Sequence, residues 1–543
     1  MERRAAGVAR CRTRGRTGMI RLNRAAERAE GHRHRRLLAP AAIVAAALLA
    51  GCTTHPPPDA GSVSAGHVLS VGFSNLSQRY IEPVRPETLA LVGLNGLAQI
   101  SPGLGVARQD SNVTITLNGV RIGQHPAPGD DDVHGWARLA AAALENARRA
   151  APAVRDTGIE EIYRTVFRGA LTGLDRYSRY ATPEATRRSR ASRDGFGGLG
   201  ITIDQDDGTT VITRVHEGTP AAAAGLKVDD RITHVDSRPI HALPLADVVT
   251  LLRGPVEDAV KLTLERDGRP APFTASVTRA HIVVPTVHAR REGGMLNIKL
   301  SGFNQGTASA LRRALAEAER EMGAELKGII LDLRGNPGGL LDQAVAVADM
   351  FISRGRIIST KGRHPDSDQI FDATPGELAA GRPLAVLVNG RSASAAEIVA
   401  VALRDAGRAV IIGSTSFGKG TVQTIIPMPN GGEMILTWAR IHAPSGQTLD
   451  HQGVVPALCT AGEEKRVAAL IAALEAAHAA HLPLAGKTYR PQKGTPHFSK
   501  ADRGACPPSP AEGAADLRAA RLLLGDTALY AQAVTGAASI ARR

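Results

Sequence analysis

The sequence Gly328-Ile-Ile-Leu-Asp-Leu333 is a continuous apolar run of strand length, and it ends in the turn Arg334-Gly-Asn-Pro-Gly-Gly339 before a helical pattern. The same order returns at Leu384-Ala-Val-Leu-Val388 and again, with a Gly-rich loop, at Ala409-Val-Ile-Ile412. Apolar strands that alternate with helices are typical of a buried parallel sheet. Residues 283–460 are therefore predicted to form an α/β core of βα repeats, with functional loops at the carboxyl ends of the strands.

Two regions of the sequence are predicted to be mainly helical, one towards each end of the chain. Residues 68–194 are mainly helical by periodicity, with a small sheet element at Val113-Thr-Ile-Thr-Leu117 before the hairpin signal Asn118-Gly119. The polar, basic run from Arg187 to Arg193 indicates a solvated linker. Residues 461–543 are Ala-rich and predicted to be helical.

Charge and composition exclude two broad classes of protein. The 543 residues are 43% hydrophobic and 22% charged, with a mean hydropathy of −0.09, so the chain can bury real cores and is not globally disordered. Twelve Arg and three Glu in residues 1–51 account for nine of the fourteen net positive charges. Because the basicity is concentrated there, no nucleic-acid partner is expected.

The N-terminal segment has the layout of a secretory signal. Arg33-His-Arg-Arg36 precedes an apolar run from Leu37 to Ala50, which is too short for a comfortable transmembrane helix. The run ends in Leu49-Ala-Gly-Cys52, which resembles a bacterial lipobox. We expect a lipoprotein signal peptide at 1–51, lipidation of Cys52 and a Pro-rich tether at 52–67; an uncleaved N-terminal anchor with an incidental Cys is the alternative.

Cysteine and histidine usage bears on disulfides and metals. Outside the N-terminal segment only Cys459 and Cys506 remain, and in an oxidising compartment they are a candidate disulfide. Two unrelated buried thiols are the alternative. The sequence has no Cys-x-x-Cys and no His-Glu-x-x-His, so neither a metal site nor another cofactor is expected.

Residues 195–282 combine short β runs with a Gly-rich loop, Phe196-Gly-Gly-Leu-Gly-Ile201. With the later segments Gly218 to Leu226, Asp229 to Ile232 and Val235 to Ile240, this loop resembles a PDZ domain. A PDZ groove takes a peptide C-terminus as an added strand and holds its carboxylate on backbone N–H groups. The resemblance places that loop at Gly198, Leu199, Gly200 and Ile201.

Three interpretations compete for the loop Gly413-Ser-Thr-Ser-Phe-Gly-Lys-Gly-Thr421. A phosphate loop requires Ser or Thr after the lysine and then a helix, whereas Gly420 and a β-like run follow Lys419. A Ser-x-x-Lys acyl transferase on Ser416 requires a helix and supporting motifs that the sequence lacks. The third interpretation makes Lys419 the general base for a serine elsewhere.

Ser394 is the candidate nucleophile. It lies in Ser392-Ala-Ser-Ala-Ala-Glu397 at the expected start of a helix, where free N–H groups could stabilise an oxyanion. The same residues also fit a capping box, in which Ser394 and Glu397 only terminate the helix. The local pattern alone favours the capping role over catalysis.

Together these motifs resemble the carboxyl-terminal processing, or tail-specific, peptidases, which are PDZ-containing serine peptidases with a Ser/Lys dyad. The resemblance runs from about residue 70 to 460 and rests on the following motifs: Tyr80-Ile-Glu-Pro-Val84, Leu174-Asp-Arg-Tyr-Ser178, Leu331 to Gly339, Ser392 to Ile398, Phe417 to Gln423, Pro444-Ser-Gly446 and Gly453-Val-Val-Pro456. It implies a ClpP/crotonase-like core with an inserted PDZ domain. Residues 98–158 stand out as an insertion, and the sequence after 460 matches no core motif.

The resemblance also implies a role for each site residue. Ser394 would be the nucleophile, Lys419 its base and Gln423 the side chain that orients the lysine amine. The oxyanion hole would use the N–H of Ala395 and one from Gly338 or Gly339. Ala396 stands where many members have Ser, a position that the dyad does not require.

The sequence thus predicts a serine endopeptidase, lipid-anchored at the periplasmic side of a bacterial membrane. Its expected partners are protein or peptide substrates with exposed C-termini, an adaptor or activating lipoprotein, and the lipid membrane. The alternative is an inactive PDZ scaffold that binds protein tails in the cell envelope, although Ser394, Lys419 and Gln423 are all present.

Overall fold

The structure, a computed structural model, describes residues 64–379, 381–462, 464–480, 503–504 and 506–538. The predicted signal peptide and Cys52 lie outside these ranges. The first helix begins at Ala65, where Ser64 Oγ accepts a hydrogen bond from the N–H of His67. Helical structure therefore starts inside the range predicted as tether. Within the described ranges no helix is long and apolar enough to cross a membrane.

The N-terminal region packs helices and a small antiparallel sheet around buried aromatic side chains. Its elements are α1 (Ala65–Arg79), α2 (Pro86–Asn95), β1 (Leu104–Gln109), β2 (Asn112–Leu117), β3 (Val120–Pro126), α3 (Val133–Ala150), α4 (Pro152–Asp156), α5 (Ile159–Leu171), β4 (Arg179–Ala181) and α6 (Pro183–Arg193). Asn118 and Gly119 have φ of 50° and 79°, as a tight hairpin turn between β2 and β3 requires. Trp136, Phe73 and Phe167 are fully buried in this core.

The segment predicted as a linker at 187–193 is helical and belongs to α6, so that prediction is wrong. Thr182 caps the helix by accepting from the N–H of Ala185. Arg190 Nε and Arg193 Nη2 donate to Glu433 Oε1 at 2.7 and 3.2 Å. Glu433 is nearly fully buried, so these arginines neutralise an otherwise isolated carboxylate.

The next segment is a small β domain with two short helices. Its elements are β5 (Phe196–Gly198), β6 (Ile201–Asp206), β7 (Thr209–Val215), α7 (Pro220–Ala223), β8 (Arg231–Val235), β9 (Arg238–Pro239), α8 (Leu245–Leu252), β10 (Ala259–Glu265), β11 (Phe273–Thr278) and β12 (Ala280–Ile282). The main sheet has the order β11-β10-β8-β7-β6, with β9 beside β8. β5 pairs with β12, so the entry and exit of the domain are joined.

The α/β core contains two sheets. Its elements are β13 (Val287–Glu292), β14 (Met295–Leu300), α9 (Thr307–Met322), β15 (Gly328–Asp332), α10 (Leu341–Asp349), β16 (Arg356–Gly362), β17 (Gln369–Asp372), β18 (Leu384–Val388), α11 (Ala395–Asp405), β19 (Val410–Gly413), β20 (Thr421–Pro427), β21 (Glu433–His442) and β22 (Leu458–Cys459). The first sheet has the order β13-β14-β15-β18-β19-β22 and is parallel from β14 onward. The second has the order β17-β16-β21-β20, and β4 pairs with β21.

The parallel sheet is buried on both faces, which explains its continuous apolar strands. Ile329 and Leu331 face one hydrophobic core with α9, α10 and α11, whereas Ile330 between them faces a second core. That second core is closed by α12 (Glu464–Ala480), α13 (Ala514–Leu524) and α14 (Thr527–Ala538). Residues 464–480, 514–524 and 527–538 of the C-terminal region are helical as predicted, and these helices cover one face of the parallel sheet.

Residues 506–513, here called the C-terminal strap, lie against the turns that follow β15, β18 and β19. The carbonyl of Ser509 accepts from the N–H of Gly390 at 2.7 Å and from Ser414 Oγ at 3.2 Å. Arg334 Nη1 donates to the carbonyl of Gly513 and to Asp516 of α13, each at 2.9 Å. The strap therefore joins three turns that meet at one edge of the sheet.

Candidate active site

Ser394 lies at the turn between strand β18 and helix α11. Its φ of 55° is in the left-handed region, which is uncommon for a residue with a side chain and is often found at functional sites. Its N–H donates to Glu397 Oε2 at 2.7 Å. Ala395 is the first residue of α11, where amide groups have no acceptor within the helix. The turn thus presents a half-buried hydroxyl beside the start of a helix.

Buried hydrogen bonds hold this turn in place. Ser392 Oγ donates to the carbonyl of Leu333 at 2.8 Å and accepts from the N–H of Asn389 at 2.9 Å. The N–H of Ala393 donates to the carbonyl of Asn336 at 3.0 Å. These bonds fasten the Ser394 turn to the turn that follows β15.

Gly338 and Gly339, predicted to supply an oxyanion donor, lie directly against the Ser394 turn. A Cβ on Gly338 would be 2.8 Å from the carbonyl oxygen of Ala393 and 2.9 Å from Ser394 Cβ. The N–H of Gly338 is already bonded to Asn336 Oδ1 at 2.9 Å. Phe303 pairs with the groups on either side of Gly339, namely the carbonyl of Gly338 and the N–H of Leu340. The N–H of Gly339 therefore points away from Phe303 and is the better candidate donor.

Lys419 lies in the loop between β19 and β20, and its Nζ is 4.8 Å from the centre of the Tyr177 ring. Burial lowers the pKa of Lys419, and the nearby charge of Arg179 lowers it further, whereas Asp175 and Glu397 act in the opposite direction. A lowered pKa increases the share of the neutral amine, the form that can accept a proton.

One buried carboxylate, that of Glu397, joins the two predicted catalytic residues. Glu397 is fully buried, and besides the Ser394 N–H it accepts from the N–H groups of Gly418 and Lys419 at 2.7 and 2.9 Å and from Ser416 Oγ. Burial raises the pKa of Glu397, and these hydrogen bonds oppose that rise. The sequence indicated Glu397 only as a helix cap; its contacts with the lysine loop had no local signal.

Gln423, predicted to orient the lysine amine, lies near it on β20 with other partners. Its Nε2 donates to the hydroxyls of Thr421 and Thr437 at 3.0 and 3.2 Å. The pairing of β20 with β21 shifts register between Val422 and Gln423, which accompanies this side-chain position. Among the hydrogen bonds of the described residues there is none between Gln423 and Lys419.

The loop between α5 and β4 forms one wall of the site. No role was predicted for this loop from the sequence. Asp175 accepts from the N–H groups of Tyr177 and Ser178 at 2.6 and 2.9 Å and from the hydroxyl of Thr437 at 3.1 Å. Tyr177 covers Lys419, and the guanidinium of Arg176 stacks on both Tyr177 and Phe417. The motif Leu174 to Ser178 was visible in the sequence, but its approach to the lysine depends on the tertiary fold.

The predicted peptide-binding loop lies at the edge of the small β domain. The carbonyls of Leu199 and Gly200 accept from the N–H groups of Ala221 and His216, each at 2.9 Å. Gly200 has a φ of 81°, and a Cβ there would meet Thr219 at 2.2 Å, so only glycine fits. Gly198 ends β5, and Ile201 begins β6, the last strand of the sheet order. An edge strand of this kind can accept a peptide as a further strand.

Two further expectations concern the cysteines and metal binding. Cys459 and Cys506 form a disulfide with a Cα–Cα distance of 5.8 Å. Cys52 lies outside the described residues. In the part of the chain that the structure describes, no group of three or more His, Cys, Asp or Glu side chains is placed to hold a metal ion.

Two segments match known families: residues 294–458 match peptidase family S41, and residues 211–266 match the PDZ domain. The carboxy-terminal-processing protease of Bartonella bacilliformis is 40% identical over 299 residues, which cover 55% of this chain and 69% of the relative. The carboxy-terminal processing protease CtpA of Bacillus subtilis is 35% identical over 295 residues, 53% of this chain and 62% of the relative. Among solved structures, a photosystem II D1 C-terminal processing protease is 25% identical with a TM-score of 0.37, over 73% of this chain and 92% of that chain.

Proposed function

Because this chain belongs to peptidase family S41, as a PDZ-containing serine peptidase of the carboxy-terminal processing group, we propose that it cleaves protein substrates near their C-termini with a Ser394/Lys419 dyad. The observation that carries the dyad is the Glu397 carboxylate, which binds the backbone N–H groups of both residues. A single buried group thereby fixes the turn of the nucleophile relative to the loop of the base.

In the first step Ser394 Oγ attacks the carbonyl carbon of the scissile peptide bond, and Lys419 Nζ takes the hydroxyl proton. The tetrahedral intermediate then collapses: the C–N bond breaks, and Lys419 returns the proton to the leaving amine. An acyl-enzyme ester on Ser394 and a released C-terminal fragment remain. The lowered pKa of Lys419 supports this role, since its amine must be neutral before each cycle.

The second step releases the other half of the substrate. Lys419 takes a proton from water, the hydroxide attacks the ester carbonyl, and the C–O bond to Ser394 breaks as the proton returns to Oγ. In both steps the oxyanion would lie between the N–H of Ala395 and that of Gly339. Preorganised donors of this kind lower the barrier because they need no reorientation when charge develops.

Substrate capture is assigned to the PDZ domain. The tail of a substrate would add as a strand beside β6, with its carboxylate on the backbone of Gly198, Leu199, Gly200 and Ile201. The open edge of β6 and the positive φ of Gly200 support this assignment.

We further propose that Cys52 is lipidated and holds the enzyme at the periplasmic side of a bacterial membrane, where an adaptor or activating lipoprotein could reach it. The lipobox-like residues before Cys52 support the anchor. The core is proposed to be ClpP/crotonase-like, which is supported by its parallel strands from β14 to β22 with helices on both faces.

The test uses the soluble form that starts at Thr53, incubated with an unfolded protein that carries an apolar C-terminus, with products identified by mass spectrometry. We expect fragments from the wild type and none from Ser394→Ala or Lys419→Ala, with peptide binding kept. Ser353→Ala and Lys327→Ala, which change exposed residues outside the turns of the site, are the matched controls. Cleavage by the Ser394→Ala protein at the wild-type rate would refute the mechanism. Binding without cleavage by any form would favour the inactive scaffold.

A further inference from the structure

A cavity of about 360 Å³ lies behind the loop that covers Lys419, and its charged lining is mainly arginine. Arg164 and Arg168 reach it from α5, and Arg179 reaches it from the start of β4. Asp175 is the one carboxylate among the lining residues. All three arginines are exposed, so the cavity is open to molecules from solution.

The acidic groups nearby leave much of this positive charge unmatched. Asp175 uses both carboxylate oxygens within its own loop and on β21, where it accepts from Tyr177, Ser178 and Thr437. Arg164 is ion-paired with Glu161. Within the ranges that the structure describes, neither Arg168 nor Arg179 forms an ion pair, and Arg179 donates only to the carbonyl of Tyr177 at 3.2 Å.

This arrangement is electrostatically unfavourable in the empty protein. Arg164 and Arg168 are four residues apart on one helix, where like charges repel, and Arg179 adds a third guanidinium to the same cavity. An anion in the cavity would relieve that repulsion. Guanidinium groups bind carboxylates through paired, charge-assisted hydrogen bonds, so a carboxylate fits this lining well.

The cavity and the dyad share the loop from Asp175 to Arg179. Tyr177 contacts Lys419 on one side of this loop, whereas Asp175 and Arg179 line the cavity. The charges of Asp175 and Arg179 are close enough to act on Lys419. A single loop therefore separates a group bound in the cavity from the proposed base Lys419.

We propose that Arg164, Arg168 and Arg179 form a subsite for a carboxylate of the substrate, carried by an Asp or Glu side chain near the scissile bond or by the terminal α-carboxylate of the tail. The inference rests on the proposed function and adds to it a determinant of cleavage-site preference outside the PDZ domain. Substrates with a carboxylate at the matching position are cleaved faster than their neutral analogues.

The experiment compares synthetic peptides with an apolar C-terminus, each with one Glu or one Gln at successive positions, and each as free acid and as C-terminal amide. With the full chain we expect kcat/KM to be about tenfold higher for Glu than for Gln at one position, or for free acid than for amide. Arg168→Gln should remove that difference and Arg168→Glu should reverse it. Arg138→Gln, an exposed arginine on α3, is the control.

These comparisons distinguish the two possible sources of the carboxylate. A Glu/Gln difference lost in Arg168→Gln identifies a side chain, and a free-acid preference lost in that variant identifies the tail. A free-acid preference that survives in Arg168→Gln belongs to the PDZ domain. If it survives and the Glu and Gln peptides are cleaved equally, the proposal is wrong. It is also wrong if all peptides are cleaved equally.

The same peptides are also bound to the Ser394→Ala protein and followed by fluorescence anisotropy. We expect the same tenfold ratio in Kd and the same loss in the Arg168 variants built on Ser394→Ala. This readout needs no turnover, so the subsite can be refuted or supported even if the proposed cleavage is absent. Equal Kd values for all peptides, with and without Arg168, would refute it.

Discussion

At the scale of single residues, the Glu397 carboxylate links the two turns that carry the proposed catalytic residues. Its oxygens are bound by donors from two turns that are distant in sequence, one with Ser394 and one with Gly418 and Lys419. A buried carboxylate without such partners would be strongly destabilising, so the donors are held in place as firmly as the acceptor. Glu397 is therefore a positioning residue for the proposed dyad.

Arg179 is expected to set the pH dependence of the reaction. In the proposed mechanism the neutral amine of Lys419 is the active form, so kcat/KM should rise with pH through the pKa of Lys419. Burial lowers that pKa most, and the nearby charge of Arg179 lowers it further. Arg179→Gln removes the repulsion between the charges of Arg179 and Lys419, so the pKa of Lys419 rises. The rising limb of the plot of kcat/KM against pH then moves to higher pH, and activity at neutral pH is lower.

Arg187→Gln, which changes an exposed arginine on α6, is the control for this profile and should leave the limb in place. The pH profiles of kcat/KM are measured for the three proteins with one peptide. A limb that stays unchanged in Arg179→Gln, or moves to lower pH, would contradict the assignment of Lys419 as base.

The sequence predicted roles for Ser394, Lys419 and the Gly338-Gly339 turn through the resemblance to a known family, and the structure places the turns that carry them side by side. The contacts of Gln423 and Tyr177 could not be predicted. Gln423 depends on a register shift between two strands, and Tyr177 comes from the loop between α5 and β4, whose approach to Lys419 depends on the tertiary fold.

At the scale of elements, the turn after β15 must approach the turn after β18 closely. Gly338→Ala would place a Cβ within 3 Å of Ala393 and Ser394 at a φ of 101°. We expect kcat to fall about 100-fold, as when an oxyanion donor is displaced. Gly355→Ala is the matched control: its φ is 94°, but a Cβ there meets nothing within 4 Å.

Both variants should lose about 1 kcal/mol of stability from the positive φ, and only Gly338→Ala should lose activity. Chemical denaturation and steady-state kinetics measure the two effects separately. If the Gly338→Ala protein were as active as the Gly355→Ala protein, the turn would have no part in the oxyanion hole.

Elements with strong local patterns were predictable, and those held by distant charges were not. The strands β15, β18 and β19 follow from apolar runs because a sheet covered on both faces requires them. Helix α6 buries only Thr186 and Ala191 and so has little apolar periodicity. Its arginines pair with Glu433 on β21, a contact without any local signal.

At the scale of the whole molecule, the disulfide between Cys459 and Cys506 ties the C-terminal strap to the last strand of the sheet. The two cysteines are 47 residues apart, and closing a loop of that size contributes about 4 kcal/mol by restricting the unfolded chain. Replacing both by Ser should lower the free energy of unfolding by about this amount and reduce kcat, because the strap supports the turns behind Ser394.

Denaturant titration of the variant and a thiol count on denatured, unreduced wild type test this pairing. Ser353→Ala serves as a neutral reference. Two free thiols in the wild type would show that the bond does not form, and an unchanged denaturation midpoint in the variant would show that it does not stabilise the fold.

The α/β core and the helical ends followed from the alternation of patterns along the sequence, whereas the PDZ domain followed from the resemblance of its Gly-rich loop and later segments to that family. The role of the C-terminal region did not, since its residues match no core motif. This region contacts the turns of the site through backbone hydrogen bonds, such as that between Ser509 and Gly390. Many sequences could make such bonds, so they leave no motif.

The strap has a consequence for the order in which the fold is completed. Synthesis delivers residues 506–513 only after the turns that carry Ser394 and Lys419, and α13 and α14 follow later still. Until then, one face of the catalytic sheet and the backs of its turns are uncovered. The surfaces behind the proposed catalytic turns are therefore closed only when the last helices of the described chain have been made.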